Sequence, residues 1–243
     1  MNSAPDNASS QEQAKMVALQ RYRVWLLTFV SLFTSLLAFF VLIITLTEVE
    51  GVAPKRSYQK VLSGLHGSLA QIHQQKGMDW LRIENTFAKG VRISFDPELF
   101  AQAPLFQSAR PDIQPRYFPY LNEIIEVLDE ADLINFEQQY ARMLAVLRAN
   151  GLGVSLMIRV EGHTDAVPLA PTARFRDNVQ LSTFRAYEVM NYLQEALGWP
   201  ASMFTIAGYG SFHPVTDNPN DPENRRIEIY VVPVLKLIPE VER

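Results

Sequence analysis

Cysteine is absent from the 243-residue chain, which removes disulfides and thiolate metal ligation from the ways this protein can hold itself together. Any folded part must rest on an apolar core alone, which a domain of about 150 residues can do. Histidine is scarce, at four residues. His66 and His73 are too scattered to point to a metal. His163 and His213 both follow expected strands but lack a third ligand. An excess of positive charge is missing too: the formal net charge is −4, and no basic stripe with interleaved aromatics offers a nucleic-acid footprint. No serine or cysteine nucleophile stands in sequence context with His163, so the expectation is a protein that is not an enzyme and needs no cofactor or metal.

Charge is also missing from residues 24–47, VWLLTFVSLFTSLLAFFVLIITLT, an unbroken run of 24. At about 1.5 Å rise per residue, such a helix covers a hydrocarbon core of about 30 Å. Lys15, Arg21 and Arg23 lie just before the run, and Glu48 and Glu50 just after it. This bias keeps the N-terminus in the cytoplasm and exports the C-terminal domain. A cleaved signal peptide is the rival reading, but its apolar core is normally about 7–15 residues and is followed by a small-residue site, which TLTEVEG does not provide. An uncleaved anchor is the expectation, with residues 1–23 as a cytoplasmic tail. Thr28, Ser31, Ser35 and Ala38 are spaced by three or four residues and share one helical face. Small and hydroxyl side chains of this kind let membrane helices pack closely, unless the hydroxyls merely satisfy their own helix's carbonyls. No ionisable residue lies inside the span to carry a proton.

Beyond the span, residues 48–89 read as a linker. Within it Tyr58, Val61, Leu62, Leu65, Leu69 and Ile72 predict an amphipathic helix over about 57–75, ended by Gly77, that can pair with a copy of itself or lie near the membrane. Alternation predicts strands at 90–95 and 225–234, the latter limited by Pro233, and 155–162 and 203–210 also read as strands. Helices are expected at 118–129, 133–149 and 181–198, the last capped by Ser182 and closed by Gly198. Residues 101–115 hold three prolines and read as a loop. The fold class that follows is α+β: a two-layer sandwich over 90–235, with helices on one face of a four-stranded sheet, one transmembrane helix before it and a short tail at 236–243.

EGHTDAVPL sits where the strand at 155–162 leaves the sheet, and Arg185 lies on about the first turn of the following helix. A carboxylate and a guanidinium at one sheet edge suit a zwitterion: Asp165 for an ammonium, Arg185 for a carboxylate, Asn178 completing the hydrogen bonding. The alternative is a plain Asp165–Arg185 salt bridge.

FDPELF at 95–100, GHTD at 162–165, Asn178 with LSTFRA at 181–186, GYG at 208–210 and NRRIEI at 224–229 occur in an order that resembles the OmpA-like peptidoglycan-binding domain, closest to the version in the MotB family of flagellar stator proteins. The resemblance implies an inner-membrane protein with a periplasmic domain that grips the diaminopimelate side chain of peptidoglycan through Asp165 and Arg185. Thr164, Asn178, Asn224, Arg225 and Arg226 would lie at or near the ligand edge. It further implies a homodimer with a MotA-, TolQ- or ExbB-like multispan partner. WLLTFVSLFTSLLAFFVLI also resembles the stator helix, with one departure: the ion-carrying Asp of that family is matched here by Ser31, which cannot titrate. A second departure is extra length around 133–149.

Overall fold

A computed structural model describes residues 6–100 and 104–238. The first residues of the expected tail, 1–5, the start of the proline-rich loop, 101–103, and the C-terminal residues 239–243 lie outside the described residues. Helix α1 runs over Asp6–Lys76. The chain divides into two compact units, Met1–Ala53 and Pro54–Arg243. In the first, Lys15–Thr45 is long and apolar enough to cross a membrane, with mean hydropathy 2.6, a property shared by membrane anchors and signal sequences. On this stretch Thr28 donates its hydroxyl to Trp25 O (2.8 Å) and Val24 O (3.1 Å), and Thr34 donates to Ser31 O. Those hydroxyl protons are therefore held within the helix itself.

The second unit is a mixed five-stranded sheet with helices on one face. Its strands are β1 (Leu81–Asn85), β2 (Val91–Phe95), β3 (Leu152–Gly162), β4 (Phe204–Gly208) and β5 (Ile227–Leu237). The order is β1-β2-β5-β3-β4, so the expected four-stranded sheet is corrected to five. The added strand is β1, inside the stretch read as linker. It is a short edge strand in which only Leu81 is buried while Arg82 and Glu84 are turned outward, so its alternation is faint in the sequence. It pairs antiparallel with β2 across a tight turn, Leu81 opposite Phe95 and Asn85 opposite Val91. Gly90 closes that turn at φ +110, a conformation open to glycine.

β5 is the central strand, antiparallel to β2 on one side and to β3 on the other. Pro233 lies within it, opposite Leu156, where β5 has already run past β2, whose pairing stops at Val231. A missing N–H is tolerated there because only one side of the strand is bordered, so β5 continues to Leu237. β3 and β4 pair in parallel through the crossover helix α5 (Asn178–Leu197), as a strand–helix–strand unit requires.

The helical layer contains α2 (Phe118–Glu130), α3 (Phe136–Gln139), α4 (Ala141–Ala149) and α5. The last part of α1 joins them: Val61, Leu62, Leu65 and Leu69 are all buried in the same core as Ile93, Leu121, Ile124, Ile158, Val189 and Ile229. The apolar stripe expected at 57–75 is thus covered by its own domain. The single helix expected at 133–149 is broken at Tyr140. That ring packs against α1 at Gly64, where a Cβ would fall 2.8 Å from Tyr140 Cε1.

Two glycines decide how close α5 lies to the sheet. Gly162 and Gly208 are register partners at the ends of β3 and β4. A Cβ on Gly162 would meet Ser182 O at 2.1 Å, and one on Gly208 would meet Thr183 Oγ1 at 2.0 Å and its backbone N at 2.6 Å. Backbone cannot yield cheaply to such contacts, so Gly208→Ala should destabilise the domain by about 1–3 kcal/mol, the usual cost of overpacking. Among the described residues the core lies within residues 61–232, so urea unfolding of a 54–243 fragment measures this. An unchanged midpoint would contradict the close approach.

Candidate functional site

β3 ends at Gly162, and three of the next four residues are stitched to loops that converge from elsewhere. His163 N donates to Arg226 O, Thr164 N to Gly210 O and Ala166 N to Pro219 O, at 2.9–3.0 Å. α5 begins at Asn178, capped by Asp177, whose side chain accepts from Gln180 N. The expected cap, Ser182, is instead inside the helix: its hydroxyl donates to Val179 O and accepts from Gly210 N. Arg185 consequently sits about two turns into α5, with its head at the strand ends.

A cleft of about 340 Å³ opens there, lined by Thr164, Asp165, Asn178, Arg185 and Arg225 together with Phe106 and neighbouring loop residues. Its polar groups are bonded differently from the simple pair the sequence offers. Arg185 is 3% exposed. It donates from Nε to Arg110 O (3.1 Å) and from Nη2 to Gln107 O (3.2 Å), and its guanidinium lies 4.9 Å over the Phe106 ring. Asp165 Oδ2 accepts from Arg225 Nη1 at 2.6 Å, and its Oδ1 accepts from Val167 N. The carboxylate's ion pair is thus with Arg225, while Arg185 anchors the loop before α2.

Other residues singled out in the sequence serve the frame. Asn178 Nδ2 donates to Asp165 O and Val167 O, fixing the loop that carries Asp165. Asn224 is buried, accepts from Val215 N and donates to Thr216 Oγ1 and Asn218 O; it shapes the loop before β5 and does not line the cleft. Arg226 points to Glu228, 2.7 Å away. Thr164 Oγ1 is buried at the cleft without a hydrogen-bond partner. Phe106, Gln107 and Arg110 had no motif to betray them, because they lie some 75 residues from Arg185 in sequence. The only hint was a proline-rich loop, the kind of segment that builds sites.

The charge in the cleft is unbalanced. Arg185 and Arg225 face one carboxylate, Asp165. Burial, with the Arg225 charge added, pushes the Arg185 guanidinium down to about 10. It remains charged at neutral pH, in surroundings that favour an arriving anion.

Behind the cleft, on the sheet face opposite the helices, Glu161 and Glu228 are direct register partners on β3 and β5. Like charges so placed repel. Lys89 (2.9 Å) and Arg159 (3.4 Å) pair with Glu161, and Arg226 (2.7 Å) and Arg92 (3.4 Å) with Glu228; Tyr230 also donates to Glu228. Arg92 bonds Glu84 in addition. His163 lies between the glutamates, and one atom from each of the three lies within 4.8 Å of the others. That spacing suits a small cation. Four side-chain cations already neutralise the two carboxylates, however, and a metal ion would have to displace them.

His163 Nε2 is 3.8 Å from Glu228 Oε2, too far for a hydrogen bond, and neither ring nitrogen has a partner. Burial first, then the Arg226 charge, pushes its pKa down to about 3. An unfolded chain takes up a proton near the ordinary histidine value while the folded one does not. This site therefore costs no stability above about pH 6.5 and costs more as pH falls toward the folded value. Glu228, whose pKa is lowered by Arg226 and Tyr230 against the effect of burial, acts in the same sense at lower pH. The stability of 54–243 should fall between pH 6.5 and 4.5 by up to about 1.4 kcal/mol per pH unit. His163→Gln should flatten that segment; an unchanged slope in urea titrations would refute the assignment.

Residues 129–228 match the OmpA family model. The chain is 28% identical over 225 residues to the uncharacterized protein YtxE of Bacillus subtilis, covering 85% of this chain and 87% of that one. It is 35% identical over 79 residues to motility protein B of the same organism, covering 31% of this chain and 30% of that protein's length. A crystal structure of a MotB-like protein from Desulfovibrio vulgaris superposes with a TM-score of 0.53 at 18% identity, over 74% of this chain and 99% of that one, a likeness of fold. An OmpA-like fold of this kind is a structural, non-catalytic module. Residues 129–228 are thus OmpA-like in sequence, and the chain shares its fold with a MotB-like protein.

Proposed function

We propose that this protein is a MotB-like subunit of an ion-driven membrane complex, with its OmpA-like domain holding peptidoglycan. The observation that carries the reading is the conjunction, in one chain, of an apolar helix at Lys15–Thr45 and an OmpA-like domain with a cationic cleft. Similarity to motility protein B supports it. In this reading the N-terminus is cytoplasmic and the domain periplasmic. Two copies of the chain stand inside a ring of a MotA-, TolQ- or ExbB-like multispan protein, and Thr28, Ser31, Ser35 and Ala38 form the packing face toward it.

At the cleft, Arg185 offers a fork to a carboxylate and Asp165 an acceptor to an ammonium, the two ends of a diaminopimelate side chain. Full-length protein in detergent should sediment with diaminopimelate-type sacculi. Asp165→Asn and Arg185→Lys should each weaken retention at least about tenfold, the loss expected when one partner of a charged hydrogen bond is removed. Equal retention of all three proteins would sink the wall-binding part.

Ser31 favours a second reading, an anchor through which no ions move, because the span from 24 to 47 has no titratable group. In the motor reading the titrating acid belongs to the partner, and Ser31 packs. Ser31→Ala should then leave ion flux and partner co-purification intact, while Ser31→Leu should break the complex by placing bulk in a close contact. Loss of flux with Ser31→Ala in an assembled complex would show that the hydroxyl itself conducts. Absence of any flux in wild type, with the partner bound, would favour the anchor.

A further inference from the structure

Arg225 lies between two cavities. It lines the cleft with Asp165 and Arg185, and also a groove of about 700 Å³ lined by Glu98, Asp221 and Glu223 and by Glu84 and Glu228, which Arg92 and Arg226 already pair. Its side chain is 34% exposed, whereas that of its partner Asp165 is 11% exposed. Asp165 Oδ2 takes the 2.6 Å bond from Arg225 Nη1. The other oxygen is engaged by Val167 N. A cation from the protein's own chain thus stands where a ligand's cation would have to bind.

We infer that Arg225 is an internal competitor that sets the selectivity of the cleft: an arriving ammonium displaces it from Asp165, and it turns toward Asp221 and Glu223 in the neighbouring groove. This rests on the reading that the cleft takes a zwitterionic diamino acid. The exchange is chemically even, one charged hydrogen bond for another, and the leaving guanidinium finds carboxylates in that groove. Withdrawal of Arg225 also takes a like charge away from Arg185, which is buried and cannot move away from its two carbonyl partners without releasing the loop. A ligand with carboxylates alone gains nothing by expelling Arg225 and instead benefits from its charge. The cleft is therefore selective for molecules that carry both charges, and Arg225 is the residue that enforces the ammonium requirement.

The two ligand classes should respond oppositely to removal of the competitor. Full-length protein in detergent is titrated calorimetrically with meso-diaminopimelate and with pimelate, the same carbon chain without amines. Arg225→Ala should bind meso-diaminopimelate at least about fivefold tighter than wild type, since the ligand no longer breaks a charged hydrogen bond, and should bind pimelate more weakly. Arg225→Gln, which keeps most of the side-chain volume, should behave alike and serves if the alanine variant unfolds. Arg225→Lys keeps the charge and should stay within about twofold of wild type for both ligands, because an ammonium can occupy the same place. Weaker or unchanged binding of meso-diaminopimelate by the neutral variants would overturn the inference, as would failure of every protein to bind it. Opposite shifts for the two ligands, with wild type failing to sediment with sacculi, would uphold competition at the cleft and remove wall binding.

Discussion

The close approach of α5 to the ends of β3 and β4 is the constraint on which the site depends. Gly162 and Gly208 remove the side chains that would otherwise hold the helix off, and Ser182 then reaches Gly210 N. Because α5 carries Asn178 and Arg185, and β3 delivers Thr164 and Asp165, that single contact sets the distance between the cleft's two walls. Part of the GHTD, LSTFRA and GYG motifs is therefore packing: glycines on the strands and a serine on the helix, with the charged residues as passengers placed by that packing.

A second constraint is electrostatic. The domain buries carboxylates on both sides of its strand ends and balances them with cations drawn from distant parts of the chain. Lys89 comes from the β1–β2 turn, Arg92 from β2, Arg159 from β3, and Arg225 and Arg226 from the entry to β5. Removing one partner of such a buried pair is costlier than the pair's net worth. The network thus ties the turn at 86–90, the two central strands and the loop before β5 to one another. The NRR motif divides its two arginines between the systems: Arg225 faces Asp165 in the cleft, and Arg226 faces Glu228 behind it.

The loop at 104–113 has an unusual part in this. Its only ladder-like pairing is the bridge between Phe106 and Ile113, yet its carbonyls hold the buried Arg185 and its aromatic ring covers the guanidinium. Arg185 is thus the pin that orders one wall of the cleft, and its place there depends on a loop far away in sequence.

The sequence by itself determined the apolar span, whose lack of charge is a property of composition, and the strands β2, β3 and β5, where every second side chain packs into the core, together with β4, which is half-buried throughout. Its ordered motifs also picked out Thr164, Asp165, Asn178, Arg185 and Arg225, which line the cleft, but neither Phe106 nor the rest of the loop that lines it with them. The fifth strand escaped because β1 is an edge, with a single buried side chain and a pairing partner supplied by a hairpin. The extent of β5 beyond Pro233 escaped because a proline's cost depends on which side of the strand is bordered, and that is known only once β2 is seen to end. The fate of the stripe on residues 57–75 depended on what lay opposite it, and this proved to be the domain's own core. Only the tertiary structure decided who pairs with whom in the cleft. Asp165, Arg185 and Arg225 are one anion and two cations, and their partners follow from distances set by the helix–sheet contact and by a loop that carries no motif.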